Sequence, residues 1–194
     1  MSYKIHLEKK GIRALGIAES FHTNSMKKSV LAGVVIRSDL IIDKFTFGSV
    51  TLRGDDATDI ILDMYLSLKR SDINVIILGG SIISLYNMVD INQIGLATEL
   101  PIISVTFEKS HGLEETIKHH FTKERRNKLK TYSKLGNRDK IFLKTGHSVF
   151  IRSHGIDLVT SKQVLDKFTI QGAIPEPIRL AKLLARARND LISR

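Results

Sequence analysis

Val75-Ile76-Ile77-Leu78-Gly79-Gly80, an unbroken apolar run closed by two glycines, decides how this chain is read. A strand with one wet face alternates apolar and polar residues, whereas a strand that is apolar throughout is covered on both faces. Pro101-Ile102-Ile103-Ser104-Val105 is a second such strand, and a helix-like stretch separates the two. Buried strands alternating with helices predict a parallel sheet with helices on both faces, whose ligands sit beyond the strands' carboxyl ends. Upstream, Ile12-Arg13-Ala14-Leu15-Gly16-Ile17-Ala18-Glu19-Ser20-Phe21 supplies a first strand over residues 12–18. A metal-dependent nuclease on this plan needs carboxylates at the strand ends to hold divalent cations beside a phosphate. The first strand offers Ala18 and then Glu19, and the run at 75–80 offers none.

The remaining elements follow from periodicity. Residues 29–37 and 40–52 are rich in β-branched and aromatic side chains and read as two more strands, with Ser38-Asp39 suiting a hairpin between them. Gly54-Asp55-Asp56 opens a helix whose Ala57, Ile61, Met64, Tyr65 and Leu68 form one apolar stripe, with Asp55, Asp59 and Asp63 on another face. A strand over 74–79, a helix over 88–100 and a strand over 102–107 come next. A strand near 149–151, a helix over 161–168 and a last helix from Pro175 complete the order. That last helix is expected to bury Leu180, Leu183, Leu184, Ala187 and Leu191, with Arg179, Lys182 and Arg186 on an adjacent side. No repeat, low-complexity tract or shift in composition interrupts residues 1–194, so one domain is expected.

Composition narrows the function. No stretch approaches the ~18 apolar residues of a spanning helix, and the polar start over residues 1–10 has no signal-peptide core, so a cytoplasmic protein is expected, with no membrane contact. With no cysteine there is no disulfide framework, thiolate nucleophile or Cys-based zinc site. Many charges and only three glutamines lean toward a hot-environment proteome. Lys and Arg number 30 against 20 Asp and Glu. The excess is concentrated over residues 118–144, where ten basic residues face two acidic ones, Glu124 and Asp139. A block of this density is an electrostatic footprint for a polyanion, most often nucleic acid. Lys123, Arg125, Arg126, Lys128 and Lys130 are its expected phosphate contacts, with Arg179, Lys182 and Arg186 of the last helix beside them. The competing reading of such a block is a solvated excursion that keeps the protein in solution.

Other chemistry is thinly represented. There is no Gly-x-x-x-x-Gly-Lys phosphate loop, no Gly-x-Gly-x-x-Gly after a strand and no Gly-x-Ser-x-Gly elbow. The histidines His111, His119, His120, His147 and His154 lack metal-ligand spacing, and His147 and His154 read as partners of structural polar groups. Asp55 and Asp56 stand where a helix N-cap belongs, which favours capping over a metal role. Asn87 and Asp90 can cap the following helix, and Glu19 begins what reads as an exposed loop running through His22 and Ser25. Gly79 and Gly80 suit a tight turn or the close approach of a ligand backbone. Pro175, Glu176 and Pro177 suit a helix entry.

Three antiparallel strands, a helix and then β-α-β is the element order of the RNase H-like fold. Four segments narrow this further: Ile12-Arg13-Ala14-Leu15-Gly16-Ile17; Gly54-Asp55-Asp56-Ala57-Thr58; Asn87-Met88-Val89-Asp90-Ile91 with Leu100-Pro101-Ile102; and Gly172-Ala173-Ile174-Pro175-Glu176-Pro177-Ile178-Arg179-Leu180-Ala181. On these the chain resembles an archaeal group known as domain-of-unknown-function family ninety-nine, similar in fold to endonuclease V. The resemblance implies an α/β, endonuclease V-like mixed sheet of three antiparallel strands followed by parallel βαβ units. It also implies metal-binding acids at the end of the first strand, the start of the first helix and the end of the fourth strand. This chain has Ala18-Glu19, Asp56 and Gly79-Gly80 there, and Asn87 and Asp90 are implied to line the same cleft. The expectation is a DNA- or RNA-binding protein with little or no nuclease activity and no cofactor. The alternative is a Mg- or Mn-dependent endonuclease built on Glu19, Asp56 and Asp90, with Asp56 and Glu19 as metal ligands. A third reading makes the basic face a dock for an acidic protein partner.

Overall fold

The computed structural model describes residues 3, 5–9, 11–20, 27–110 and 112–192. The expected residues Phe21, His22, Thr23, Asn24, Ser25 and His111 lie outside them. β1 (Arg13–Ser20), β2 (Lys28–Arg37) and β3 (Ile42–Thr51) form an antiparallel meander. α1 (Ala57–Leu68) crosses to β4 (Val75–Leu78), which runs parallel to β1 with Leu15 opposite Ile76. A small hairpin, β5 (Ile82–Ile83) and β6 (Asn87–Met88), precedes α2 (Ile91–Thr98) and β7 (Ile102–Thr106), which lies parallel to β4. α3 (Glu114–His120) and α4 (Arg125–Lys134) form the excursion, followed by the antiparallel β8 (Asp139–Phe142) and β9 (Ser148–His154), then α5 (Leu158–Phe168) and α6 (Glu176–Ile192). The seven-stranded order is β3-β2-β1-β4-β7-β9-β8, the mixed, RNase H-like arrangement expected.

The apolar strands are buried on both faces because their side chains alternate between two cores. Ala14 and Ala18 of β1, Val75 and Ile77 of β4, and Ile103 and Val105 of β7 pack with Val164 and Phe168 of α5 and Ala181 of α6. Leu15, Ile17, Ile76, Leu78 and Ile102 face the other way, onto Ile61 and Met64 of α1 and Ile94 of α2. One consequence is specific. Ala18 points toward the α5–α6 layer and Glu19 toward the α1–α2 side, so neither position substitutes for the other.

Three expectations need correction. α6 buries Ile178, Ala181, Ala185 and Asn189, while Leu183 and Leu191 are 54% and 70% exposed. Small residues one helical turn apart let this helix lie close on β1 and β2, and bulk on that stripe would hold it off. The start of α6 shows the same closeness, since a Cβ on Gly16 would meet Pro177 backbone at 2.3 Å. That contact gives the Pro175-Glu176-Pro177 segment a structural cause. Second, of the two glycines expected to suit a tight turn, only Gly80 has a left-handed backbone, with φ 110°. Third, the β5–β6 hairpin and β8 form in stretches where periodicity predicts no strand.

Candidate functional site

The acids expected to line the cleft, Glu19 at the end of β1, Asp56 at the start of α1 and Asp90 at the start of α2, are all engaged by protein donors. Glu19 lies inside β1, not in a loop, and its carboxylate accepts from the Ser84 backbone N–H at 2.8 Å and the Ser84 hydroxyl at 2.6 Å. A longer bond of 3.4 Å comes from the Ser29 hydroxyl. Ser84, Leu85 and Tyr86 are consecutive left-handed residues at the tip of the β5–β6 hairpin, an expensive conformation for residues with a Cβ. Glu19 is therefore an anchor for a strained turn.

Asp56 is held in a similar way. It occupies the N-cap position of α1 but makes no side-chain cap bond. Its oxygens accept from the Thr51 hydroxyl at 2.8 Å, the Thr51 N–H at 3.1 Å and the Asn87 amide at 2.6 Å. Asn87, buried on β6, does the capping, with its Oδ1 accepting the Ala57 N–H at 3.1 Å. Partial burial pushes the Asp56 carboxyl up, but the donors from Thr51 and Asn87 outweigh it and leave it below its ordinary value. Asp90 caps α2 through the N–H groups of Asn92 and Gln93. One hairpin thus supplies partners to both Glu19 and Asp56.

The space between the strand ends is nearly filled. Ile17, Ala18, Glu19, Leu31, Gly79 and Gly80 line a cavity of about 10 Å³, which is at the lower limit for a single water. A Cβ on Gly79 would already touch Ile178 at 3.3 Å and Ala18 at 3.5 Å. Asp90 opens instead onto a larger polar cavity of about 610 Å³ that it shares with Asp55, Asp59, Asn127 and Arg152. Among the described residues, no three acidic or histidine side chains are arranged to hold a metal ion.

The basic residues divide differently. Lys123, Arg125, Arg126 and Lys130 are exposed on and beside α4, and Arg179, Lys182 and Arg186 are exposed along α6. Arg179 is also ion-paired with Glu176 one turn earlier. Lys128 departs from expectation: it is 1% exposed. Its ammonium donates to Asp55 at 2.6 Å, to the Gly54 carbonyl at 2.6 Å and to the Tyr86 carbonyl at 3.1 Å, and it lies 5.3 Å from the Phe121 ring centroid. All three of its protons are used, so it has none left for a phosphate. Its role is to fasten α4 to the start of α1 and the hairpin tip. Sequence alone does not separate this lysine from its neighbours, because its partners lie more than 40 residues away. Of the two histidines expected to serve structural polar groups, His154 bonds Asn92 at 2.7 Å and His147 the Thr145 carbonyl at 3.1 Å.

Comparison with known proteins gives a consistent setting. The model of a family described as Endonuclease dU matches residues 10–188. A UPF0215 protein of the archaeon Pyrobaculum aerophilum is 32% identical, over 92% of this chain and 95% of its own length. The crystal structure of a protein of unknown function from Archaeoglobus fulgidus superposes with a TM-score of 0.75 at 25% identity, covering 91% of this chain and 98% of that one. Endonuclease V of Ciona intestinalis, in complex with DNA containing an inosine, superposes with a TM-score of 0.62 at 18% identity, covering 94% and 87%. The endonuclease V-like fold and the archaeal relatives are thereby shown, and the matching family carries the description Endonuclease dU. No helix among the described residues is long and apolar enough to cross a membrane.

Proposed function

The chain belongs to the Endonuclease dU family, and from that premise we propose that it is a cytoplasmic nucleic-acid-binding protein, acting as one unit over its length, with little or no nuclease activity. The observation that carries the low activity is the β5–β6 hairpin, whose Ser84 and Asn87 occupy the Glu19 and Asp56 carboxylates. Two-metal hydrolysis of a phosphodiester needs several carboxylates free to position cations ~4 Å apart, and Ala18 and Gly79 add none. Binding needs only clustered cations beside the phosphates. Lys123, Arg125, Arg126 and Lys130 are the proposed contacts, with Arg179, Lys182 and Arg186 as a second face and Gly79, Gly80 and Asn87 as the wall of the closed cleft. Phosphate contacts of this kind suit DNA and RNA alike.

The test has two parts. Fluorescence anisotropy at low salt compares the protein with a variant in which Lys123, Arg125, Arg126 and Lys130 are changed to Gln. The variant is expected to lose most of its affinity, and the slope of log K against log salt to fall by roughly 0.9 for each phosphate it no longer neutralises. Unchanged affinity overturns the assignment of that face. Absence of binding to any polynucleotide by the unmodified protein favours an acidic protein partner. In parallel, deoxyuridine-containing, inosine-containing and ordinary DNA and RNA are incubated with Mg or Mn, and no cleavage above buffer is expected.

The second reading, a divalent-metal-dependent endonuclease, draws support from the family's own description. Metal-dependent cleavage abolished by Asp56→Ala in a folded protein would establish it.

A further inference from the structure

Partly buried arginines in this protein usually face an acid: Arg13 pairs with Asp43, and Arg70 with Asp72. Arg138 and Arg152 break the pattern. Both line a cavity of about 760 Å³ beyond the carboxyl end of β7, which also takes in Ser81, Lys109, Tyr132 and Phe150. Every hydrogen bond they make is to a neutral acceptor. Arg138 donates through Nη1 to the Thr106 hydroxyl at 2.9 Å and the Glu108 carbonyl at 3.1 Å, and its guanidinium lies 5.1 Å from the Phe150 ring centroid. Arg152 donates through Nε to the Gly136 carbonyl at 3.1 Å and through Nη1 to the Ser81 hydroxyl at 2.9 Å. Glu114 and Asp139 also border the cavity, but neither forms an ion pair with Arg138 or Arg152. Among the described residues, Nη2 of each arginine donates to no protein group.

This arrangement has a cost. Burial, and then the charge of Arg138, push the Arg152 guanidinium below its ordinary value. Two cations are held beside one another and neither is ion-paired, although Glu114 and Asp139 border the same cavity and Arg152 also borders the one lined by Asp55, Asp59 and Asp90. Each has a fixed stem and an outer N–H edge left over, so the two are organised for an anion that arrives from outside. The planar guanidinium fork matches the geometry of phosphate oxygens better than an ammonium does.

We propose that Arg138 and Arg152 form a phosphate-binding site in which their outer Nη2 donors hold a phosphoryl group of a nucleic-acid strand, with Lys109 at the rim. The phosphoryl chemistry stands on the arginines themselves. The strand as its source rests on the function proposed above, whose contacts on α4 and α6 are different residues.

The experiment uses the full chain and three variants: Arg138→Gln, Arg152→Lys, which keeps the charge and removes the fork, and Arg138→Gln with Arg152→Gln. Binding of a short single-stranded oligonucleotide is followed by anisotropy, and binding of inorganic phosphate by calorimetry, after thermal melts confirm folding. Arg138→Gln leaves the Arg152 bonds to Ser81 and Gly136 in place, so it keeps the test open even where the double variant fails to fold. Each single variant is expected to weaken oligonucleotide binding by roughly tenfold or more, the range for hydrogen bonds to a charged group. Arg138→Gln is also expected to lower the salt slope by about one phosphate's share. Wild-type affinity and slope in Arg138→Gln and Arg152→Lys would overturn the site while leaving the proposed function intact. Phosphate binding that depends on Arg138, in a protein that binds no oligonucleotide, would uphold the phosphate chemistry, identify a free phosphate compound as its source and sink the nucleic-acid reading.

Discussion

At the carboxyl end of β1 and the start of α1, the acidic side chains are gripped by neutral donors, and the space between the ends of β1 and β4 is nearly filled. On and between α3 and α4, basic side chains project from a frame that leaves most of them unpaired. Both regions are charged in sequence, and only one keeps its charge available. The difference lies in reach. Glu19 and Asp56 have short side chains on strand and helix ends that abut the β5–β6 hairpin, where Ser84 and Asn87 meet them. Arg126 and Lys130 lie on the outer face of α4 and Lys123 in the turn just before it, with solvent around them. Lys128 joins the two regions, because it belongs to the basic block but points inward and is used like the acids.

The largest expected effect comes from cutting that link. Lys128→Met removes the ammonium that ties α4 to Asp55, Gly54 and Tyr86, and is expected to destabilise the protein by about 3–5 kcal/mol, as for breaking one side of a buried pair. Because Asp55 is 71% exposed and regains water, the lower end is expected. Urea denaturation measures it, and a loss below about 1 kcal/mol would mean that the closed region extends no further than the hairpin.

Asp56→Ala comes next. It leaves the Asn87 amide and the Thr51 donors without their acceptor, at about 1–3 kcal/mol. The Asp56 carboxyl titrates below its ordinary value when folded, so its contribution is fully present above the unfolded value near 3.9. It is lost as pH falls through the lower folded value. The stability gap between the protein and Asp56→Ala, from denaturation at pH 7 and pH 3, should therefore narrow on acidification. A gap that is flat with pH would show that the carboxylate's charge is not what the closed site holds.

The smallest effect belongs to the open region. Lys123→Ala is expected to change stability by no more than about 0.5 kcal/mol, since nothing in the fold leans on it. A loss several times larger would erase the contrast between the regions.

Much of the fold is legible in the residues. The runs at 12–18, 75–80 and 101–105 specify buried strands, because only side chains covered on both faces tolerate such nearly unbroken apolar sequence. The parallel pairing of β1 with β4 follows from the antiparallel meander that makes β3 run with β1, followed by the β3-α1-β4 crossover. The segment from Gly172 to Ala181 signals the family without showing why Pro177 is there, since its reason is Gly16, more than 150 residues earlier. The facing stripe of α6 escapes sequence reading for a related cause: leucines invite burial, but close approach to β1 and β2 selects the small side chains.

By itself, then, the sequence determined the element order, the two-sided burial of the central strands, the absence of carboxylates at Ala18 and Gly79, and the basic block. These are local properties, carried by composition and spacing along the chain. Tertiary structure alone decided which charges remain free. Ser84 closing on Glu19, Asn87 on Asp56, Asp55 on Lys128, and no acid on Arg138 or Arg152 are all decided across long stretches of chain. A charge becomes available or spent only when the fold brings its partner, or fails to bring one, within hydrogen-bonding distance.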